Sequence, residues 1–316
     1  MHSVFQMRLW LAVSASLLPC GALAGGLAAQ PASVVYASAE GSGALLGIDT
    51  NSLRVVRHFD VGNRPHNLDR TADGLLAVAT QGANAVTIVD TKSESVDRID
   101  LGVPPHDVAA RAGGATAFVL SERGLLAEIN PASRRVLRRI ELEGRPHDVI
   151  AWRGTALITD ISAGRIFVVE GDGVHTIPIS VVGHDLAVRP GTQELWVTPW
   201  KSNRAVVVDL GGQKQIAEFR VGRAPSHKHL AFSEDGGEAW IAEPESGNVF
   251  VVDAKTREVV DRVALGGHPH HVRIAAGRAY VADGPNDLVI LDAVNRRVLG
   301  RLAVGAGIHD VAVAVQ

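Results

Sequence analysis

Between residues 66 and 101, apolar and polar positions alternate in four short runs: HNLDRTADG, LLAVATQG, NAVTIVDTKS and SVDRIDLG. A period of two over about five to eight residues predicts a half-buried β-strand, and turn residues at such short intervals predict antiparallel neighbours. The same order returns as HDVAARAGG, TAFVLSERG, LLAEINPAS and RVLRRIELEG, and later units carry TALITD, ELWVTPW, EAWIAEPESGN and RAYVADGPND as their second runs. Turn residues keep the register: Ala72-Asp73-Gly74, Arg111 to Gly114, Arg153-Gly154, Pro190-Gly191 and Glu234 to Gly237 all fall between a first and a second strand. Asp49, Asp90, Asn130, Asp209, Asp253 and Asp292 close third strands, where a short side-chain oxygen is expected to cap the turn that follows.

Four antiparallel strands in a unit of about 40 residues, repeated along the chain, predict an all-β propeller. Residues 33 to 60 supply three strands without an innermost one, and the chain ends in IHDVAVAVQ, an innermost strand without the other three. Pairing these two ends gives seven blades, with the C-terminal strand completing the N-terminal blade. The expected organisation is a signal peptide over 1–24, a linker over 25–32 and a seven-bladed β-propeller over 33–316. Trp196 and Trp240 are expected between blades; Trp152 has no assigned place.

Composition narrows the partners. A formal charge of -3 with 46% hydrophobic residues suggests neither disorder nor a polyanionic partner, so no nucleic acid is expected. At the N-terminus Arg8 ends a short polar region, LWLAVSASLL is apolar, and Ala22-Leu23-Ala24 offers a cleavage site, so a periplasmic or extracellular location is expected. Leu17-Leu18-Pro19-Cys20 half resembles a lipidation site, with Pro19 where a small residue is usual. Cleavage at Ala24 leaves no cysteine, excluding disulfides and thiolate chemistry. Beyond residue 30 no apolar run reaches the 18 or more residues of a membrane helix, and a monomer is expected.

The units resemble YVTN-type propeller repeats, in VGNRPHNL with TADG, in AYVADGPNDLVILDA and in AWIAEPESGNVFVVDA. The resemblance covers essentially everything after residue 32 and implies the fold rather than one function, because propellers host binding modules, scaffolds and several enzyme chemistries.

A second periodicity lies on the first. VGNRPHNL, LGVPPHDV, LEGRPHDV and LGGHPHHV put a histidine where an outer strand crosses to the innermost strand of the next blade. These crossings share one mouth of the central channel and hold His66, His106, His147, His184, His270 and His309; the remaining one, PSHKHL, holds His227 and His229. With His268 and His271, ten of the thirteen histidines fall there, against about two from ordinary composition. One reading is structural, an imidazole packing on proline and bonding a carbonyl. The other is a metal site in which His66, His106, His147, His184, His227, His229, His270 and His309 supply ligands. Asp107, Asp148, Asp185 and Asp310 each follow a histidine. Adjacent strand residues face opposite ways, so these carboxylates are expected either behind a neighbouring blade's imidazole, as the second layer of a metal site, or as acceptors for loop amides. His271 joins that layer. Asp160, Glu243, Glu245 and Asp283 near second-strand ends should border the same mouth, as should Trp200 and Lys201.

Imidazole and carboxylate without thiolate suit zinc, copper, nickel or iron, with copper or zinc the leading expectation. One zinc ion takes four ligands, so either a subset binds one ion or the ring holds a cluster. The arrangement is similar to the catalytic propeller of nitrous oxide reductase, where seven histidines hold a multicopper cluster. This chain has no cupredoxin domain and no cysteine pair, and it carries Lys228 where one blade should offer its first histidine, so that activity is not predicted. Two other classes fit the same face: a non-catalytic scaffold receiving a protein or envelope polymer at the mouth, and an enzyme or cofactor protein using one rim histidine as base or axial ligand. There is no G-x-S-x-G, P-loop or dinucleotide fingerprint, while a carboxylate pair for glycoside chemistry stays open. Arg134, Arg135, Arg138 and Arg139 on an outer strand are expected to guard an edge or offer a docking patch.

Overall fold

A computed structural model describes residues 34–305 and 307–314; the expected leader, its linker and Cys20 lie outside the described residues. Seven four-stranded antiparallel sheets make up the fold, and the only helical elements among the described residues are two three-residue turns, Gln81–Ala83 and Pro244–Ser246. Among those residues no helix is long and apolar enough to cross a membrane. Numbered by their innermost strands, blades 1 to 7 begin with Pro65–Arg70, Asp107–Ala110, Pro146–Trp152, Gly183–Val188, His229–Phe232, His268–Ala275 and Ile308–Ala314. Blade 7 joins the two ends of the described chain: Ile308–Ala314 pairs with Val34–Ala39, Val311 opposite Ala37, and the sheet continues through Ala44–Asp49 and Arg54–Asp60.

Each sheet is apolar on both faces of its middle strands, so the core is a series of layers between neighbouring blades. Leu157, Ile166 and Ile177 of blade 3, for example, pack on Leu186, Leu195, Val197 and Val206 of blade 4. Trp196 and Trp240 are buried in such layers, whereas Trp152 is half-buried under the Arg153 guanidinium, 4.8 Å from its ring. The turn caps form as expected. Asp49 Oδ1 accepts the amides of Asn51 and Ser52 at 2.9 and 2.8 Å, and Asp90, Asn130, Asp209, Asp253 and Asp292 act alike. On the outer strand Arg135–Glu141, Arg138 pairs with Glu128 at 2.6 Å and Arg139 donates to the Leu101 carbonyl, while Arg134 just before it pairs with Asp97 at 2.8 Å.

One local irregularity recurs beside the axis in most blades. Leu68, Val108, Val149, Leu186, Leu230, Val272 and Val311 occupy equivalent positions, each opposite a buried residue of the neighbouring strand. Just before this position the pairing register slips in five blades: between Pro65 and Leu68, Pro146 and Val149, Gly183 and Leu186, Pro269 and Val272, and Ile308 and Val311. A β-bulge inserts an extra residue and re-aims the side chains around it. Strict alternation, which would put histidine and aspartate on opposite faces, is thereby broken in these five; in blades 2 and 5 the strand begins only at Asp107 and His229, and residues from both positions line the channel.

Candidate metal centre at the channel mouth

Two positions before the equivalent apolar residue stands the first tier: His66, His106, His147, His184, Lys228, His270 and His309. Its imidazoles touch one another around the axis, with centroids 4.3 Å apart from His66 to His106, 4.2 Å to His147, 4.6 Å to His184, and 4.7 Å between His270 and His309. His309 meets His66 at 3.7 Å. Lys228 turns away: its buried ammonium donates to the carbonyls of Ser202, Ala224 and Ser226 and lies 3.1 Å from Glu243 Oε1. His227 fills its place, 5.1 Å from His184 and 5.2 Å from His270, so seven imidazoles close the ring.

One residue later comes a second tier: Asn67, Asp107, Asp148, Asp185, His229, His271 and Asp310. Three of its carboxylates tie blade to blade. Asp107 accepts the amides of Val108 and Val149, Asp185 those of Leu186 and Leu230, and Asp310 those of Val311 and Leu68 together with the Arg273 guanidinium at 3.1 Å. These oxygens also approach imidazoles of neighbouring blades, Asp185 at 3.4 Å from His229 Nδ1 and Asp310 at 3.4 Å from His271 Nδ1. Both contacts fall within ion-pair range but are too bent to be hydrogen bonds. Asp148 differs, since Val149 donates to Asp107 instead. Both of its carboxylate oxygens are buried without a hydrogen-bond partner, Oδ1 lying 3.5 Å from His106 Nε2. Both ring nitrogens of His229 and of His271, Nδ1 of His270 and Nε2 of His309 are likewise buried and unpartnered.

The electrostatics follow from that burial. Loss of hydration, reinforced by neighbouring imidazoles, holds His66, His184, His229, His270 and His271 well below the usual imidazole range, and His309 at about 3. Burial brings His106 to about 4, with the Glu122 carboxylate opposing the shift. Burial pushes the carboxyls of Asp148 and Asp185 up to about 7 and that of Asp107 well above its ordinary value. The tiers thus favour neutral imidazoles above protonated carboxyls.

A third set touches the outer side of the ring. Glu122 Oε1 accepts from His147 Nδ1 at 2.6 Å and its other oxygen binds Arg145; the imidazole bond holds the carboxyl at about 2. Glu40 lies 3.7 Å from His66, Glu245 lies 3.6 Å from His227, and Gln81 is bonded to His106 at 3.4 Å. Trp200 stacks on His184 at 5.0 Å, with the Lys201 ammonium 5.6 Å from its ring. Sequence reasoning missed Glu40, Gln81 and Glu122, although each, like Trp200, immediately follows a second strand. Asp160, Glu243 and Asp283 sit one residue earlier, and their carboxylates are taken by Arg165, Lys228 and Arg301.

Five groups of donors have ligating atoms all within 4.8 Å of one another: His227/His229/His270, His270/His271/His309, Glu40/His66/His309, His106/His147/Asp148 and Asp148/His184/His229. The fold and the mouth together define a seven-bladed β-propeller with a histidine-lined channel. No protein-family profile and no curated protein sequence matches the chain. Among solved structures it is similar to hydrazine synthase of Kuenenia stuttgartiensis, with a TM-score of 0.70 and 17% identity over 77% of this chain and 87% of that one. It is similar also to the dihydro-heme d1 dehydrogenase NirN in complex with DHE, at 0.67 and 13% over 89% and 75%. AztD of Citrobacter koseri matches at 0.63 and 11%, over 90% and 98%. At these identities the likeness is one of fold.

Proposed function

We propose that this chain is an exported YVTN-type propeller that holds a transition metal, copper or zinc, at its histidine-lined channel mouth, for storage, delivery or redox chemistry. One observation carries the reading: the imidazole nitrogens of His229, His270, His271 and His309 and the carboxylate of Asp148 converge on one channel, buried and without hydrogen-bond partners. An unsatisfied buried polar atom costs about 1 to 3 kcal/mol, so a fold keeping several together needs a compensating ligand. Neutral imidazole and carboxylate are the donors a first-row transition metal takes. The Glu122–His147 bond supports the reading, because a carboxylate on the far nitrogen fixes which imidazole nitrogen points inward.

Protein exported with its own leader and purified without a histidine tag should carry near-stoichiometric copper or zinc by inductively coupled plasma mass spectrometry. Alanine at His66, His147 and His270 together should lower it; unchanged metal content in that variant would refute the proposal. Glu122→Gln, which keeps the shape and removes the charge behind His147, should weaken zinc binding by about 10-fold by competition titration. Unaltered affinity there would place Glu122 in the rim architecture alone.

A further inference from the structure

We infer that the mouth holds two transition-metal ions side by side, each on its own set of three donors; this rests on the reading of the mouth as a metal site. Of the pairs of donor groups that share no residue, one pair has a second-tier histidine, His229 or His271, in each group. Asp148, His184 and His229 come from blades 3, 4 and 5, while His270, His271 and His309 come from blades 6 and 7. Within each group the ligating atoms lie within 4.8 Å of one another, near enough for one ion. The groups occupy neighbouring arcs of the ring and meet where His229 lies against His271, centroids 3.8 Å apart.

Each set repeats the same construction. Its second-tier histidine has a carboxyl near Nδ1, Asp185 by His229 and Asp310 by His271, each at 3.4 Å, and a small turn of the ring would bond that nitrogen and leave Nε2 to face an ion. Two divalent ions a few ångströms apart repel, and the carboxyls, losing their protons as metal binds, offset that repulsion: Asp148 as a direct ligand on one side, Asp185 and Asp310 behind the imidazoles. The sets differ in kind. Two imidazoles and a carboxylate suit iron or zinc, whereas three imidazoles suit copper or zinc. Three protein donors also leave each ion a coordination position for water or an incoming group.

The test counts ions. The full chain, stripped by chelator and dialysed against zinc, should retain two per molecule; Asp148→Asn and His271→Gln should each retain one, and the double variant none. Loaded with Cu(II), the wild type should give a spin-coupled electron paramagnetic resonance spectrum, and each single variant the uncoupled spectrum of an isolated ion. Circular dichroism checks the variants' fold, and if one fails to fold, the wild-type count and spectrum decide alone. A wild type saturating at one ion, with an uncoupled spectrum, would overturn the two-ion inference and leave metal binding standing. A wild type that retains no ion would remove both.

Discussion

Metal-free protein carrying His229→Leu is expected to melt higher than the wild type, by about 5 °C, while binding zinc about 100-fold or more weakly. The argument sets the two roles of a buried imidazole against each other. His229 is 3% exposed and neither of its nitrogens has a hydrogen-bond partner, so without metal it carries a penalty of about 1 to 3 kcal/mol for each unsatisfied group. Leucine of similar volume removes that penalty and keeps the packing against His184, His270 and His271. In a chain of this size about 1 kcal/mol moves the melting point by about 2 °C or more. The same change deletes a donor from two of the five groups. Calorimetry on the stripped protein and a zinc competition titration check both halves. A lower melting point would mean that the imidazole is there for structure, and the metal reading would lose its main support. Opposite signs for stability and binding are the signature of a site kept against the interest of the fold.

Acid should unload the site and weaken the empty protein together. In the unfolded chain an imidazole titrates near 6.5, whereas the fold holds His106 at about 4 and His309 at about 3, with His66, His184, His229, His270 and His271 also depressed. Below pH 6.5 the unfolded chain therefore takes up protons that the folded chain refuses. Stability falls from that point, and each residue's loss is complete only below its folded value; for His106 it amounts to about 3 kcal/mol. Asp148 and Asp185 run the other way. Held at about 7, they keep protons that the unfolded chain releases near 4, so their penalty is full above pH 7 and relieved as pH falls towards 4. Eight depressed imidazoles, His227 included, outnumber six raised carboxyls, those of Glu40, Asp69, Asp107, Asp148, Asp185 and Asp310, so denaturant midpoints of the metal-free protein should be highest near pH 7 and lower by pH 5. Zinc affinity should drop by at least about 10-fold over the same interval, because Asp148, held at about 7, must give up its proton to ligate, whereas the buried imidazoles are already neutral. Flat affinity between pH 7 and 5 would exclude Asp148 as a ligand.

The fold was legible because its signals are local: period-two runs, turn residues between them, and an Asp or Asn whose oxygen caps the turn two and three residues on. The histidine ring was legible for a related reason, since one position of a repeat maps to one height on the axis. What escaped depends on geometry between blades. A β-bulge carries no residue signature in PHDV, which is bulged at Pro146 to Val149 and not at Pro105 to Val108, yet there it accompanies Asp148 into the channel beside the histidines. Lys228 marks a gap in the tier, but the neighbouring His227 reaches across to fill it. Glu122 belongs to one blade and His147 to the next, 25 residues on, and a single sequence does not reveal such a pairing.

Blade 7 is assembled from opposite ends of the described chain, with Ser38 and Asp310 bonded across 272 positions, and its inner strand brings His309, which meets His66 and takes part in two of the five donor groups. Closing a loop that long costs entropy before the contact can form. Until it does, the mouth is an open arc whose first and last imidazoles are apart. In a metal-loading propeller the cargo would then be taken up only by molecules that have completed the circle, so the bound ion would serve as a certificate of finished folding.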